Sequence, residues 1–326
     1  MTALPRILFL LSLLFSSFML VKDAFAKDVV RVGVLQYGTV NWEMQAIEHL
    51  GLKKNDDIQV EAIPLASTQA LLVALQGGKV DVILNDWLWV ARQKGLGREY
   101  RFAPYSSNGG QLVVRNNANI HSLSDLKGKT IGIAGGKTNK NWVLFKTFIQ
   151  QQTGLILGKD IAVKFGAPPM LNALVKQGDL DGVLNFWHYA AQLNAEGMPT
   201  LLTMEDLLQG SGIETKLPVL GWVFSENWAN EHRSAINQFL ALSADAKHKM
   251  KEQDDVWQSL PAFTRYPQPA QPYLIAGFRD GVFTHVTEQT EPTMAKVFAM
   301  LVANQEDNDV TGNLTALPEA ILWQWE

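Results

Sequence analysis

The sequence has 326 residues and no cysteine. That absence excludes disulfides, thiolate metal sites, cysteine nucleophiles and iron–sulfur clusters. It leaves an oxidising compartment open, because a chain of this length buries enough core to need no covalent staple. Charge is sparse too. Charged residues make up 18% of the chain, and 28 basic against 32 acidic residues give a net of -4. A mildly acidic chain has no electrostatic reason to hold nucleic acid, so none is expected as a partner. The six histidines are His49, His121, His188, His232, His248 and His285. None forms a close pair with metal-ligand spacing on one helix face. There is no G-x-S-x-G elbow. No metal, no cofactor and no catalytic residue is expected, and the chain does not read as an enzyme.

What is present begins with a targeting pattern. Arg6 precedes an apolar run from Ile7 to Val21, and Ala24-Phe25-Ala26 follows before Lys27. Residues 1–26 therefore read as a cleaved secretory signal peptide. No cysteine follows the run, so no lipid anchor is expected. No later stretch is long and apolar enough to span a bilayer. The mature chain is expected to be a soluble, exported monomer. An exported protein meets little ATP or nicotinamide cofactor, which favours capture of small molecules over cofactor chemistry.

The mature chain reads as α/β. Val29–Leu35, Asp57–Ile63 and Val80–Leu84 carry strand patterns, with helices between them ending near Leu50 and Gln76. Such alternation means crossover units and a largely parallel sheet. Residues 71–91 and 171–191 then align without a gap. Leu71/Leu171, Gly78/Gly178, Asp81/Asp181, Leu84/Leu184, Asn85/Asn185, Trp87/Trp187 and Ala91/Ala191 are identical. Two copies are too few for a solenoid but suit two similar lobes facing each other. Gln111–Val114 and Leu217–Phe224 are predicted as the crossover strands. Asp81 and Asp181 are expected to serve structure. Trp323 and Trp325 are expected to dock the last helix.

In open parallel sheets, ligands bind where strands end and helices begin. Five loops qualify: Gln36–Trp42, Ser67–Gln69, Asn85–Trp89, Gly135–Trp142 and Asn185–Tyr189. Trp42, Trp87, Trp142 and Trp187 all lie at such positions, as candidates for an aromatic cleft wall or for core. His188 is the one histidine in a candidate loop. Ile131–Thr138 looks like a phosphate loop. That motif needs four residues between its first Gly and the Gly-Lys pair, and the required position is Ile131. The loop instead reads as a helix start suited to an anion or polar group, with Lys137 or Lys140 as a charge partner.

Three segments carry a family resemblance. They are Val32–Thr39, Leu123–Ile133 and the two Leu-x-x-Gly-x-x-Asp units. Together they resemble the periplasmic binding proteins of ABC importers in the aliphatic-sulfonate, taurine, nitrate and thiamine-precursor group. The resemblance implies a type II two-lobed fold. Each lobe is a mixed, mostly parallel sheet flanked by helices, with the ligand cleft between them. Residues 27–112 and 219–326 would form lobe 1, and 113–218 lobe 2. By position, ligand residues would include Tyr37, Gly38, Thr39, Ser67, Thr68, Gln69, Asn85, Asp86, Thr138, Asn139, Asn185 and Trp187. Phe186-Trp187-His188 and Asn85-Asp86-Trp87 depart from the family pattern by adding bulk and a carboxylate. A ligand larger than a simple sulfonate or nitrate, with an aromatic, heterocyclic or cationic part, is one expectation. The partners implied are that small molecule and a membrane permease. The alternatives are a periplasmic accessory or sensor protein on the same fold, or an enzyme on it.

Overall fold

The computed structural model describes residues 27–52, 58–136, 139–283, 285–304 and 310–325. The predicted signal peptide lies outside them. The first part of the chain runs β1 (Asp28–Leu35), α1 (Val40–His49), β2 (Ile58–Leu65), α2 (Thr68–Gln76), β3 (Val82–Asn85), α3 (Trp87–Gly95) and β4 (Tyr100–Ser106). The second part runs β5 (Gly110–Val114), β6 (Thr130–Ala134), α4 (Lys140–Thr153), β7 (Ala162–Gly166), α5 (Pro168–Gln177), β8 (Gly182–Phe186), α6 (Trp187–Ala195), β9 (Thr200–Thr203) and α7 (Met204–Gly210). Then come β10 (Leu220–Ser225), α8 (Glu226–Glu231), α9 (Arg233–Glu252), α10 (Asp255–Gln258), α11 (Pro261–Thr264), α12 (Gln271–Gly281) and α13 (Thr290–Asn304).

The strands form two five-stranded sheets, ordered β2-β1-β3-β10-β4 and β7-β6-β8-β5-β9. β10 is antiparallel to β3 and β4, and β5 is antiparallel to β8 and β9. The remaining pairings are parallel. Each sheet therefore has one reversed strand, in its fourth position. The two-lobed α/β reading holds. One detail changes. Both predicted crossover strands belong wholly to one sheet, β5 to the second and β10 to the first. Alternating apolar residues mark a strand but not its partner, so the sequence cannot say which sheet claims it. The crossings are the short segment 107–109 and the loop 211–219. They are tied down beside the end of α12. Ser107 N donates to Gly281 O at 2.9 Å, Asn108 Nδ2 to Gly277 O at 2.8 Å and Val219 N to Ser106 O at 2.8 Å.

The sequence repeat has a structural cause. Asp81 accepts Arg31 N at 2.8 Å and Arg31 Nε at 2.9 Å, and Asp181 accepts Thr130 N at 2.9 Å. In both lobes this carboxylate ties the residue entering the third strand to the start of the first. The glycine opposite is repeated as well. A methyl group on Gly33 would come within 3.0 Å of Leu71, and one on Gly132 within 2.9 Å of Leu171. Each glycine lets its helix sit close on the sheet. On the other face of β1, buried Val30, Val32 and Val34 meet Ile236, Phe239 and Leu240 of α9. The chain from Ile321 to Trp323 docks on β4, where Trp323 N donates to Phe102 O at 2.9 Å. Trp323 thus anchors an extended segment rather than a helix.

Candidate functional site

The carboxyl ends of β1 and β3 face the helix starts that follow β6 and β8. After β1 the chain turns sharply. Gly38 N donates to Leu35 O at 2.9 Å, and Asn41 Nδ2 donates to both Leu35 O and Gly38 O at 2.8 Å. This pinned turn throws Tyr37 outward, 63% exposed, and leaves Gly38 and Thr39 half-buried. The Arg265 guanidinium lies over the Tyr37 ring at 5.6 Å and the Tyr266 ring at 5.7 Å. Arg265 has no ion-pair partner among the described residues. Tyr189, in the first turn of α6, comes near the same group. Burial raises its hydroxyl pKa, as does nearby Tyr266, while Arg265 opposes them. The mouth between the lobes is therefore a cation flanked by three tyrosines.

His188 sits behind Tyr189, ring centroids 4.4 Å apart, and its Nδ1 is buried without a hydrogen-bond partner among the described residues. Burial holds its pKa down to about 4. The native imidazole stays neutral while the unfolded one protonates near its usual value. Between about pH 6.5 and 4 the unfolded chain thus binds the extra proton, and stability falls as pH falls. We expect His188→Gln to flatten that part of the stability–pH curve, read by urea unfolding at pH 7 and pH 4.5. An unchanged slope would refute the assignment.

On another side of the cleft, Asp86 caps α3 by accepting Trp89 N at 2.9 Å, and it meets Lys140 of α4 at 3.1 Å. Burial pushes the Asp86 carboxyl up, but Lys140, Arg92 and the Trp89 amide outweigh it and hold its pKa below the usual range. This ion pair joins the two lobes. It also answers the expectation that Asp86 offers a free carboxylate to a cationic ligand: that charge is already neutralised by Lys140. Asn139 caps α4, accepting Asn141 N at 2.9 Å. Lys137 and Thr138 lie outside the described residues.

The tryptophans separate. Trp42 is fully buried, with its Nε1 donating to Ala262 O at 3.2 Å. Its ring meets Trp257, Phe263 and Tyr266 edge-on at 5.4 to 5.8 Å. Trp87 packs against Phe298 and Trp142 against Phe165, both as core. Trp187 alone crosses between lobes. It meets Trp42 edge-on at 6.1 Å and lies so close to Gly277 of α12 that a methyl group there would come within 2.9 Å of the indole. Asn85 is buried. Asn185 is spent internally, donating to Pro168 O and Asn172 Oδ1 and accepting Phe186 N. Ser67 caps α2, and Ser67, Thr68 and Gln69 are all exposed. The structure thus gathers Tyr37, Gly38, Thr39, Asp86, Asn139, Trp187 and His188 along the inter-lobe seam. It keeps Trp42, Trp87, Trp142, Asn85 and Asn185 inside.

Sequence reasoning missed Arg265 and Tyr266, and it placed Tyr189 in a candidate loop without singling it out. The only signal was an Arg-Tyr pair inside a Pro-rich stretch. It also missed a buried cluster under the cleft. Glu43 is fully buried, and among the described residues neither of its oxygens has a partner at hydrogen-bond distance, though the Ser243 and Tyr105 hydroxyls lie near enough to oppose the upward shift of its pKa. Lys247 donates to Tyr105 O at 3.3 Å and lies 4.2 Å from the Tyr105 ring centre. Burial raises the Glu43 pKa against the pull of Lys247, and burial lowers Lys247 to about 8 against the pull of Glu43. Between the lobes, a void of about 20 Å³ is lined by Thr39, Tyr105, Asn108, Trp187 and Lys247. It has room for about one water.

Two sheets of matching order, joined by two short crossings around a cleft, define a bilobal solute-binding architecture. A family model described as the periplasmic substrate-binding protein of a phosphonate ABC transporter matches residues 48–266. The chain belongs to that family, whose members serve transport. No curated protein matches it by sequence. Among solved structures, it is similar to the periplasmic aliphatic sulphonate binding protein SsuA of Escherichia coli. Identity there is 17%, coverage is 92% of this chain and 94% of that one, and the TM-score is 0.71. It is similar to the alkanesulfonate-binding protein SsuA of Xanthomonas axonopodis pv. citri bound to MOPS, at 16% identity, 91% and 99% coverage and TM-score 0.70. It is also similar to the nitrate-binding protein NrtA of Synechocystis, at 14% identity, 81% and 74% coverage and TM-score 0.60. At these identities the likeness is one of fold. Among the described residues, no helix is long and apolar enough to cross a membrane.

Proposed function

We propose that the chain is the solute-binding component of an ABC importer, capturing a small organic anion by closure of its lobes and delivering it to the permease. In this reading residues 1–26 direct export to the periplasm and are removed. Residues 27–109 and 219–326 act as one lobe and 110–218 as the other, the first boundary falling at 109 rather than 112 because β5 pairs along its whole length with the second sheet. The protein works as a monomer without cofactor and performs no chemistry. The observation that supports an anion is Arg265, without an ion-pair partner among the described residues and set among Tyr37, Tyr266 and Tyr189 at the seam. Tyrosine faces also suit an aromatic or heterocyclic body. Tyr37, Gly38 and Thr39 from one side, with Trp187, His188 and Asn139 from the other, would complete the contacts. A ligand must touch both lobes, or it gives no differential stabilisation of the closed form. The Asp86–Lys140 pair and Trp187 hold the seam shut without ligand, so entry requires Trp187 to yield.

The test is calorimetric titration of the mature chain with ethanesulfonate, methylphosphonate, nitrate and benzenesulfonate. One of them should bind with one-to-one stoichiometry, and Arg265→Ala should weaken it at least tenfold. Binding that ignores Arg265→Ala would remove the anion assignment. A second reading, a periplasmic accessory or sensor protein, draws support from one observation: Trp187 fills the seam and leaves a void of only about 20 Å³. It would prevail if no small molecule binds and native mass spectrometry of periplasm-purified protein shows no adduct.

A further inference from the structure

The largest cavity among those described lies away from the seam. It is a groove of about 690 Å³ in the first lobe, between α9, the end of β4 and the Leu322–Trp325 segment. Its volume falls within the usual range of small-molecule sites. Three of its lining residues are tryptophans, of which Trp222 and Trp323 are nearly buried and Trp325 is half-buried. Trp222 forms the floor, fixed by its Nε1 donating to Ser243 Oγ at 2.8 Å, and Trp323 is held by its Nε1 donating to Asn237 Oδ1 at 3.2 Å. Trp325, half-buried, has no ring partner among the described residues. The polar side is basic. Lys247, His248 and Lys251 line it against a single carboxylate, Asp245. Neither Lys251 nor His248 has an ion-pair partner among the described residues. Lys247 is 6% exposed and committed to Glu43 and the Tyr105 carbonyl, so the charge free to meet a ligand is that of Lys251 and His248.

We propose that this groove is a second binding site, for a flat aromatic molecule bearing one anionic group. A flat ring matches the Trp325 face, which is half-buried and without a ring partner among the described residues, because aromatic pairs gain from offset and edge-on contact beyond simple burial. An anion matches Lys251 and His248, in a chain that is otherwise net acidic. Aliphatic ligands would leave the Trp325 face unused, and cations would meet Lys251. The site is independent of Arg265, which lies at the inter-lobe seam.

The probe is 2-naphthoate, titrated calorimetrically into the mature chain, with 2-naphthamide as the uncharged comparison. One-to-one binding is expected, at least tenfold tighter for the carboxylate than for the amide. Trp325→Ala and Lys251→Glu should each weaken it at least fivefold, with melting temperatures close to wild type because both side chains are at least partly exposed. Arg265→Ala should leave it unchanged. No binding at millimolar naphthoate, equal binding of the amide, or loss with Arg265→Ala but not Trp325→Ala would each overturn the proposal. A monomer–dimer equilibrium abolished by Trp325→Ala, without naphthoate binding, would overturn it too and give the groove to a second copy of the chain.

Discussion

Replacing Trp187 with alanine should destabilise the protein by about 3 kcal/mol, the lower end for removing a large buried aromatic. The ring is 8% exposed and wedged between Trp42 and Gly277, so its loss leaves a hole that neither lobe can refill without moving. The change should also act on shape. Trp187 is the aromatic contact that spans the seam; without it the packing of Ala191 beside Leu274 and the Asp86–Lys140 pair remain, and partly exposed ion pairs contribute little. Small-angle scattering of Trp187→Ala should show a larger radius of gyration than wild type. Denaturant unfolding checks the stability. A variant as stable and as compact as wild type would show that the seam is held by other means.

Lys247→Met should cost about 3–5 kcal/mol, the range for breaking a buried pair and leaving one partner uncompensated. Glu43 is fully buried and would lose its only nearby cation among the described residues. The double variant Glu43→Gln/Lys247→Met should recover most of the loss, because neither charge then remains. The pH dependence has a definite sign. In the single variant burial raises the Glu43 pKa with no cation to oppose it, so the folded chain holds a proton that the unfolded chain releases above its ordinary value. The deficit is therefore full near neutrality and fades as pH drops below about 4.5. Chemical unfolding at pH 7 and pH 4 distinguishes this from a simple packing defect, which would persist at both.

Much of the fold was legible because its causes are local. Strand and helix alternate with clear periods, and the Leu-x-x-Gly-x-x-Asp unit reports a helix stop and a strand start within a few residues. Asp81 and Asp181 were readable as structural for the same reason. The site was less legible because its causes are distant. Asn-x-Trp after a strand has the same pattern whether the indole meets ligand, core or the other lobe. Trp42, Trp87 and Trp142 turned inward, and Trp187 turned across. The contact that neutralises Asp86 comes from Lys140, and the cation above Tyr37 comes from Arg265, more than two hundred residues away. No spacing rule joins such positions. Lys247 reads as one more exposed helix lysine until α9 is laid against Glu43.

The reversed strand in the first sheet has a consequence for assembly. Every strand of the second sheet lies between Gly110 and Thr203, so that lobe can form from one continuous stretch. The first sheet cannot. Its β3 and β4 are joined only through β10, with Gly221 opposite Asn85, and the outer side of β4 is covered by Leu322. As the chain leaves the ribosome, the lobe begun first is the lobe finished last. Pairings of such sequence separation are slow to form. The protein therefore has a built-in delay, during which its amino-terminal half is made but cannot lock into its native sheet.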